Sequence, residues 1–390
     1  MHSDIDTNIY DAAIIGGGPA GASAAYFLSL TGRKVILYEK KTLPRYKTCG
    51  GGIINNVGSI LPFDFKEVIE NYCFRAELYD HRAKLNFSTQ RNKPIIMMVM
   101  RDEFDNFLLN KAKELGTEIF DRTSVSDIKS FPGYAEVYTS AGNIKTNFIL
   151  AADGAAGIVS KILGLQKYIT RLPALENEIT VKENTYEKYM HAARFDFDII
   201  PFGYGWVFPK NHHLSVGIVR MKKGKTNLNE MLNVYMQTLG IGDVLKEDKH
   251  GFYIPVEKGL KTFVKDRIIL TGDAAALADP VTGEGISSAI LSGKFAAEAI
   301  IDSNSDKEKT ARIYNKKINS DIVREHNYAK IISELVYTYP YIRTFLFKKY
   351  GSRLVEMMTD IIMGEKKYSK MLTSPRNYFK LIKYYFIKRG

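Results

Sequence analysis

The chain has 390 residues, is 45% hydrophobic and 25% charged, and carries a formal net charge of +12. That composition fits a globular protein of roughly two to three domains and excludes a disordered, collagen-like or disulfide-stapled chain. No run approaches the roughly 18 uninterrupted apolar residues of a membrane span, and the polar, acidic opening MHSDIDTNIYD does not read as a secretory leader.

Two cysteines, Cys49 and Cys73, are too few for a disulfide framework or a Cys-rich metal site, so a reducing cytoplasm is the expected compartment. The charge is uneven. Residues 306–390 hold 19 Lys/Arg against 8 Asp/Glu, while the first 305 hold 36 against 35. The body is near neutral and the basic character belongs to the C-terminal part.

In chain order, residues 10–15 (YDAAII) have the apolar, β-branched character of a buried strand. A glycine-rich turn follows, then a small-residue helical stretch at 22–30, then a second strand at 34–38. Helical periodicity recurs at 103–115 and 285–301, and strand-like runs at 144–151, 214–219 and 267–270. Beyond about Lys307 the chain reads as mainly helical and rich in Tyr, Phe and Lys.

Gly16-x-Gly18-x-x-Gly21 has the spacing of a dinucleotide-binding turn. The first glycine permits the turn, the second lets backbone approach a pyrophosphate, and the third lets helix pack on strand. The helix start, with Pro19 and Ala20, then offers free N–H groups to phosphates. A purely structural turn can show the same spacing. The flanking strand and helix, and Glu39 placed 18 residues past Gly21 to accept from ribose hydroxyls, favour the dinucleotide.

Two later motifs narrow the cofactor. Ala151-Ala152-Asp153-Gly154 closes an apolar strand. Thr271-Gly272-Asp273 closes another, and Asp279-Pro280-x-x-Gly283-Glu284-Gly285-Ile286 opens a helix just after it. Together they resemble the FAD-dependent oxidoreductases of the aromatic-hydroxylase and geranylgeranyl-reductase superfamily, over roughly residues 9–300. The resemblance implies an α/β fold: a Rossmann-like FAD-binding domain of the aromatic-hydroxylase/glutathione-reductase type, an antiparallel-sheet substrate domain and a helical C-terminal region. It assigns 1–56, 95–165 and 262–305 to the FAD-binding domain, 57–94 and 166–261 to the substrate domain, and 306–390 to the basic helical region.

It also implies FAD as cofactor, with Asp273 on the ribityl chain, Asp153 and Gly154 near the phosphates and Arg101 near the pyrophosphate. The helix beginning near Gly285 would point its N-terminus at the flavin pyrimidine edge, where a helix dipole stabilises an anion. Gly272, Pro280, Gly283, Ile286, Lys40, Arg45, Cys49 and Gly50 complete the expected contacts. Where the family usually has Ser and then Arg after Asp-Gly, this chain has Ala155 and Ala156. No second GxGxxG is present, so electrons are expected from transiently bound NAD(P)H or a ferredoxin-like protein.

Residues 44–52 (PRYKTCGGG) resemble the Cys-Gly loop that lies over the flavin in geranylgeranyl reductases, and 204–209 (YGWVFP) their Tyr-x-Trp-x-Phe-Pro signature. Strand alternation places Tyr204, Trp206 and Phe208 on one face, an aromatic wall that suits a long hydrocarbon; a plain core strand would show the same pattern. The resemblance implies saturation of prenyl double bonds, with Gly51, Tyr204, Trp206 and Phe208 at the substrate. Because an isolated alkene is a poor hydride acceptor, a proton source must sit close, and Cys49, Tyr204 or a bound water are the candidates. The alternatives are an FAD-dependent monooxygenase of a hydrophobic substrate, and a flavin-bearing redox relay.

Cys73 is expected in the core and His212-His213 in a solvated hairpin turn; the seven histidines show no metal spacing, and no metal is expected. Residues 378–386 (YFKLIKYYF) are amphipathic at helical spacing. That segment reads either as a peripheral membrane contact or as a docked terminal helix. Nucleic acid is not expected as a partner, since no nucleic-acid module accompanies the charge.

Overall fold

The computed structural model describes residues 9–54 and 56–373. The strand Tyr10–Ile15 is buried along its length, and that is why it reads as a continuous apolar run. It pairs in parallel with Val35–Tyr38 on one side and with Gly142–Ala151 on the other. Glu118–Phe120 and Ile268–Leu270 extend the parallel sheet at its two ends. The helices Pro19–Ser29, Arg101–Glu114 and Ile286–Asp302 pack into the same apolar core as these strands.

Pro19–Ser29 and Ile286–Asp302 approach closely because small residues face each other. A Cβ on Gly293 would stand 2.2 Å from the Ala20 carbonyl oxygen. Val57, Ile60, Leu61 and Phe65 share this core with the parallel sheet.

A second sheet of seven strands lies apart from the first. Its long strands Ile169–Val181 and Val244–Glu257 pair antiparallel, and Leu214–Arg220, Gly203–Pro209 and Ala192–Phe197 follow. Arg75–Asp80 joins the last of these in parallel. A three-stranded sheet made of Gly52–Ile54, Ile96–Met98 and Asn71–Cys73 adjoins them, with Cys73 fully buried.

The described residues after 306 are mainly helical, as their pattern predicts: Lys307–Ile318, Arg324–Thr338, Pro340–Ile362 and Tyr368–Thr373. Asp306 caps the first of them by accepting from the Lys309 N–H at 2.7 Å. Two buried features bind Pro340–Ile362 to the seven-stranded sheet. The Arg343 guanidinium reaches Asp80 and Asp198, and Gly351 lies so close to Phe87 that an added Cβ would sit 2.0 Å from its ring. The amphipathic stretch 378–386 lies outside the described residues.

Candidate functional site

The glycine turn is a local consequence of crowding on one side and space on the other. A Cβ on Gly21 would fall 2.0 Å from the Gly16 carbonyl oxygen, so the helix can begin there only without a side chain. A Cβ on Gly18, in contrast, would meet nothing nearer than an Arg45 nitrogen at 3.8 Å. The open side of the turn is therefore where a phosphate can approach backbone N–H groups.

Around that opening stands a cluster of paired charged groups. Glu39 accepts from the Gly17 N–H at 3.1 Å and from Arg45 Nε at 3.1 Å, while Arg45 also reaches Asp105 at 3.0 Å. Arg101 grips Asp105 through two nitrogens, at 2.8 and 2.9 Å. Two arginines are thus held over the turn by one fully buried aspartate.

Asp153 Oδ2 accepts from the Val159 N–H at 2.9 Å, but Oδ1 is buried with no partner among the described residues. Burial pushes the Asp153 carboxyl up to about 6, against backbone hydrogen bonds and the charge of nearby Lys40. Beside it Gly154, at φ +78°, has no atom within 4 Å of a would-be Cβ. Asp273, directly after Gly272, also lacks a protein donor to its carboxylate among the described residues, and burial raises it against the charges of Lys47 and Arg101. Asp273, Lys47 and Glu284 keep some accessible surface although protein surrounds them, which marks the wall of a deep cleft.

An open glycine cradle, two clamped arginines and acceptors that await hydroxyl donors fit a dinucleotide with a polyol chain. The loop Asp279–Gly285 completes the cleft. Asp279 Oδ1 accepts from the N–H groups of Val281 and Thr282 at 2.7 and 2.9 Å, fixing the backbone after Pro280. Glu284 accepts from the Ser287 N–H at 2.7 Å, so one donor of the helix that starts with Gly285 and Ile286 is satisfied internally.

Residues 44–52 form a strap across this cleft, and its glycines are required by what lies beneath. Gly51 has φ +72°, and a Cβ there would stand 2.1 Å from the Val99 carbonyl oxygen. A Cβ on Gly50 would press on Trp206 and Phe208 at 3.0 and 3.1 Å. Cys49 is a free, half-buried thiol that accepts from the Gly51 N–H at 3.4 Å and faces Arg101. Lys47 Nζ lies 3.7 Å from the centroid of the Phe252 ring, and burial lowers its pKa, helped by Arg101.

A polar group far away in sequence ties the strap down. Glu176, 1% exposed, accepts from the Tyr46 hydroxyl at 2.8 Å and the Cys49 N–H at 2.9 Å. Burial pushes its carboxyl up to about 7, with the Glu178 charge adding to the shift. Tyr46 also stacks on His250, which pairs with Glu176 across the sheet. Glu178 accompanies Lys210, whose buried Nζ donates to the Val99 carbonyl at 2.7 Å.

His212-His213 does occupy a hairpin turn, yet His213 is not simply solvated. It lies 3.2 Å from Glu178, and that carboxylate raises its pKa against the opposing effect of burial. Glu176 and Glu178 belong to no recognisable motif, whereas Lys210 directly follows the Tyr-x-Trp-x-Phe-Pro run. For the two glutamates the local signal is a pair of carboxylates at i and i+2 in the strand Ile169–Val181.

Tyr204, Trp206 and Phe208 do share one face, with successive ring centroids 6.3 Å apart. Trp206 lies flat over Gly217 of the neighbouring strand and donates from Nε1 to Ser215 at 3.4 Å. The Tyr204 hydroxyl donates to the Thr282 carbonyl, and burial pushes its pKa further up. That proton is committed to the loop after Asp279, so the geometry suits Tyr204 to positioning that loop.

Beyond Tyr204 opens an apolar cavity of about 340 Å³, between the seven-stranded sheet and the C-terminal helices. Phe195 and Phe197 floor it; Val336, Tyr337, Phe347 and Leu354 roof it; Val281 and Thr282 close its inner end. The roof is stitched to the cofactor loop. The Tyr337 hydroxyl donates to the Val281 carbonyl at 2.5 Å, and the Tyr368 hydroxyl to Asp279 at 3.3 Å. These roof residues lie in the region that the charge distribution presents only as basic helices.

The parallel sheet, the glycine cradle and the carboxylates around it define a flavin-dependent oxidoreductase, and its cofactor is FAD. The family profile described as "FAD binding domain" matches residues 9–301. The geranylgeranyl diphosphate reductase of Synechocystis sp. is 30% identical over 76% of this chain and 76% of its own length. The digeranylgeranylglycerophospholipid reductase of Methanococcus vannielii is 28% identical over 84% and 85%.

Among solved structures, a geranylgeranyl bacteriochlorophyll reductase-like protein of Thermoplasma acidophilum superposes with a TM-score of 0.75 at 23% identity, covering 96% of this chain and 99% of that one. A flavin-dependent brominase superposes at 0.74 with 19% identity, covering 98% and 100%. At those identities the structures share the fold. The chain belongs to the geranylgeranyl reductase family of FAD-dependent oxidoreductases.

Proposed function

We propose that the protein saturates carbon–carbon double bonds of a prenyl chain carried on a lipid or quinone-like group. The observation that carries this reading is the apolar cavity, whose inner end at Tyr204 and Thr282 abuts the loop bordering the cofactor cleft. A redox relay needs only an exposed flavin edge, and a hydroxylase of polar aromatics needs polar groups to orient the ring. This cavity has neither character: its walls are almost wholly aliphatic and aromatic, and its volume suits a hydrocarbon chain. A monooxygenase of a hydrophobic substrate would use the same walls, and the product separates the two.

Bound FAD, once reduced, supplies a hydride to one alkene carbon, and the other carbon takes a proton. The chain's own residues divide the remaining work. Asp273 and Arg101 would hold the cofactor, and the strap at 44–52 would exclude water from the cleft. Tyr204 borders the cavity that would take the chain, Trp206 and Phe208 continue its wall beneath Gly50, and Cys49 is the candidate proton donor on the strap side. Electrons reach the cofactor from NAD(P)H or a ferredoxin-like protein.

The test is the product of dithionite-reduced protein incubated with geranylgeranyl lipids. Mass increases in steps of two hydrogens are expected. A product gaining one oxygen under air, with no hydrogenated species, would replace this reading with the monooxygenase.

A further inference from the structure

The outer face of the helix Pro340–Ile362 carries an unusual surface. Tyr339, Tyr341, Ile342 and Phe345 are 47%, 78%, 45% and 58% exposed. Single exposed apolar side chains are ordinary; four within two turns are not. The same stretch is cationic. From Leu335 to Val355 there is no Asp or Glu, while Arg343, Lys348, Lys349 and Arg353 are present. Arg343 turns inward to Asp80 and Asp198, and Lys348 and Arg353 remain exposed.

Around the aromatic rings the cations are already arranged: Arg82 lies 5.2 Å over Tyr341 and Lys349 5.6 Å over Phe345. The acidic group nearby, Asp198, is occupied by Arg82 and Arg343. The inner face of this helix, with Phe347, Tyr350 and Leu354, lines the apolar cavity.

We infer that the first turns of Pro340–Ile362 dock the protein on an anionic lipid bilayer, with Tyr341, Ile342 and Phe345 entering the interface beside the cavity. Two observations choose the bilayer over other occupants. Aromatic and aliphatic side chains ringed by Lys and Arg match the boundary between acyl chains and anionic headgroups. The helix that presents them is also a wall of the hydrocarbon cavity, so docking on this face brings the acyl layer up against the cavity's own wall. Among the described residues no helix is long and apolar enough to cross a membrane, so the contact is one of lying on the surface. The inference rests on the prenyl-lipid reading for its purpose, but the surface can be tested without turnover.

The experiment is sedimentation of the full-length protein with phosphatidylcholine vesicles, with and without about one-third phosphatidylglycerol. The wild type is compared with the variant Tyr341→Ser/Ile342→Ser/Phe345→Ser. These side chains line neither the cleft nor the cavity, so bound flavin and melting temperature should be retained. Binding of the wild type to anionic vesicles is expected to weaken with salt, and the variant to bind about tenfold more weakly.

Wild-type-like binding by the variant would overturn the inference and move the contact elsewhere, residues 374–390 included. So would a wild type that ignores both vesicles, or a patch that proves to join two copies of the chain, with a dimeric wild type and a monomeric variant. The variant should still turn over prenyl substrate dispersed in detergent. If the wild type binds vesicles through this patch but reduces no prenyl lipid in any form, the functional reading fails and the docking surface stands.

Discussion

Glu176 holds the strap at 44–52 by accepting from Tyr46 and from the Cys49 N–H, and burial pushes its carboxyl up to about 7. In the unfolded chain the same group titrates near its ordinary value of about 4.3. The folded protein therefore keeps a proton that the unfolded chain releases. By linkage, stability falls as pH rises from roughly 4.5 to 7, and levels off above that range. The full shift corresponds to about 4 kcal/mol as an upper bound. Glu176→Gln keeps an acceptor for both donors and cannot titrate. Its melting temperature should fall less steeply across that window, where Asp153 and Glu284 still titrate, and exceed the wild type's at pH about 8. Parallel pH profiles for the two proteins would show that Glu176 is ionised throughout.

At the level of elements, the strap and the wall beneath it are one unit. Gly51→Ala would place a Cβ 2.1 Å from the Val99 carbonyl oxygen and 2.5 Å from Lys210 Nζ, in a backbone region that already disfavours side chains. A loss of about 3 kcal/mol and of bound FAD is expected. Gly154→Ala has the same sign of φ and no neighbour within 4 Å. It should lose only about 1 kcal/mol, so the two melting temperatures side by side separate backbone strain from the clash.

The glycine turn is legible in the sequence because strand, turn and helix are contiguous, and each states its role locally. The aromatic wall is legible for the same reason, since alternation within one strand fixes the face. The Glu176–Tyr46–Cys49 tie is not: its members lie 127 to 130 residues apart, and only the register between strands brings them together. His213 reads as a turn residue because a turn motif says nothing of the carboxylate on the next strand. The helices after Lys307 are visible as helices, but a helical period does not say which sheet its apolar face will cover.

At the scale of the whole molecule, the cavity joins two bodies that differ in purpose. One end is set by the loop Asp279–Gly285, the other by helices that the sheet holds through Arg343. Leu346→Trp, on the cavity side of Pro340–Ile362, should fill much of the space without touching the cleft. The expected outcome is normal FAD content with a KM for long prenyl substrates raised at least about tenfold, the scale of lost apolar burial. An unchanged KM would place the hydrocarbon outside this cavity.

The FAD-binding profile ends at residue 301, while much of the cavity's roof, from Ile332 to Leu372, comes later in the chain. The redox half and much of the hydrocarbon half are therefore written in separate stretches of the gene, joined by two hydroxyl stitches at Tyr337 and Tyr368. Descent can act on them at different speeds. Substitutions in the later stretch can lengthen, shorten or reshape the slot while the flavin chemistry is inherited unchanged, provided the two tyrosines remain. A lineage can in this way acquire a new lipid without reinventing an enzyme.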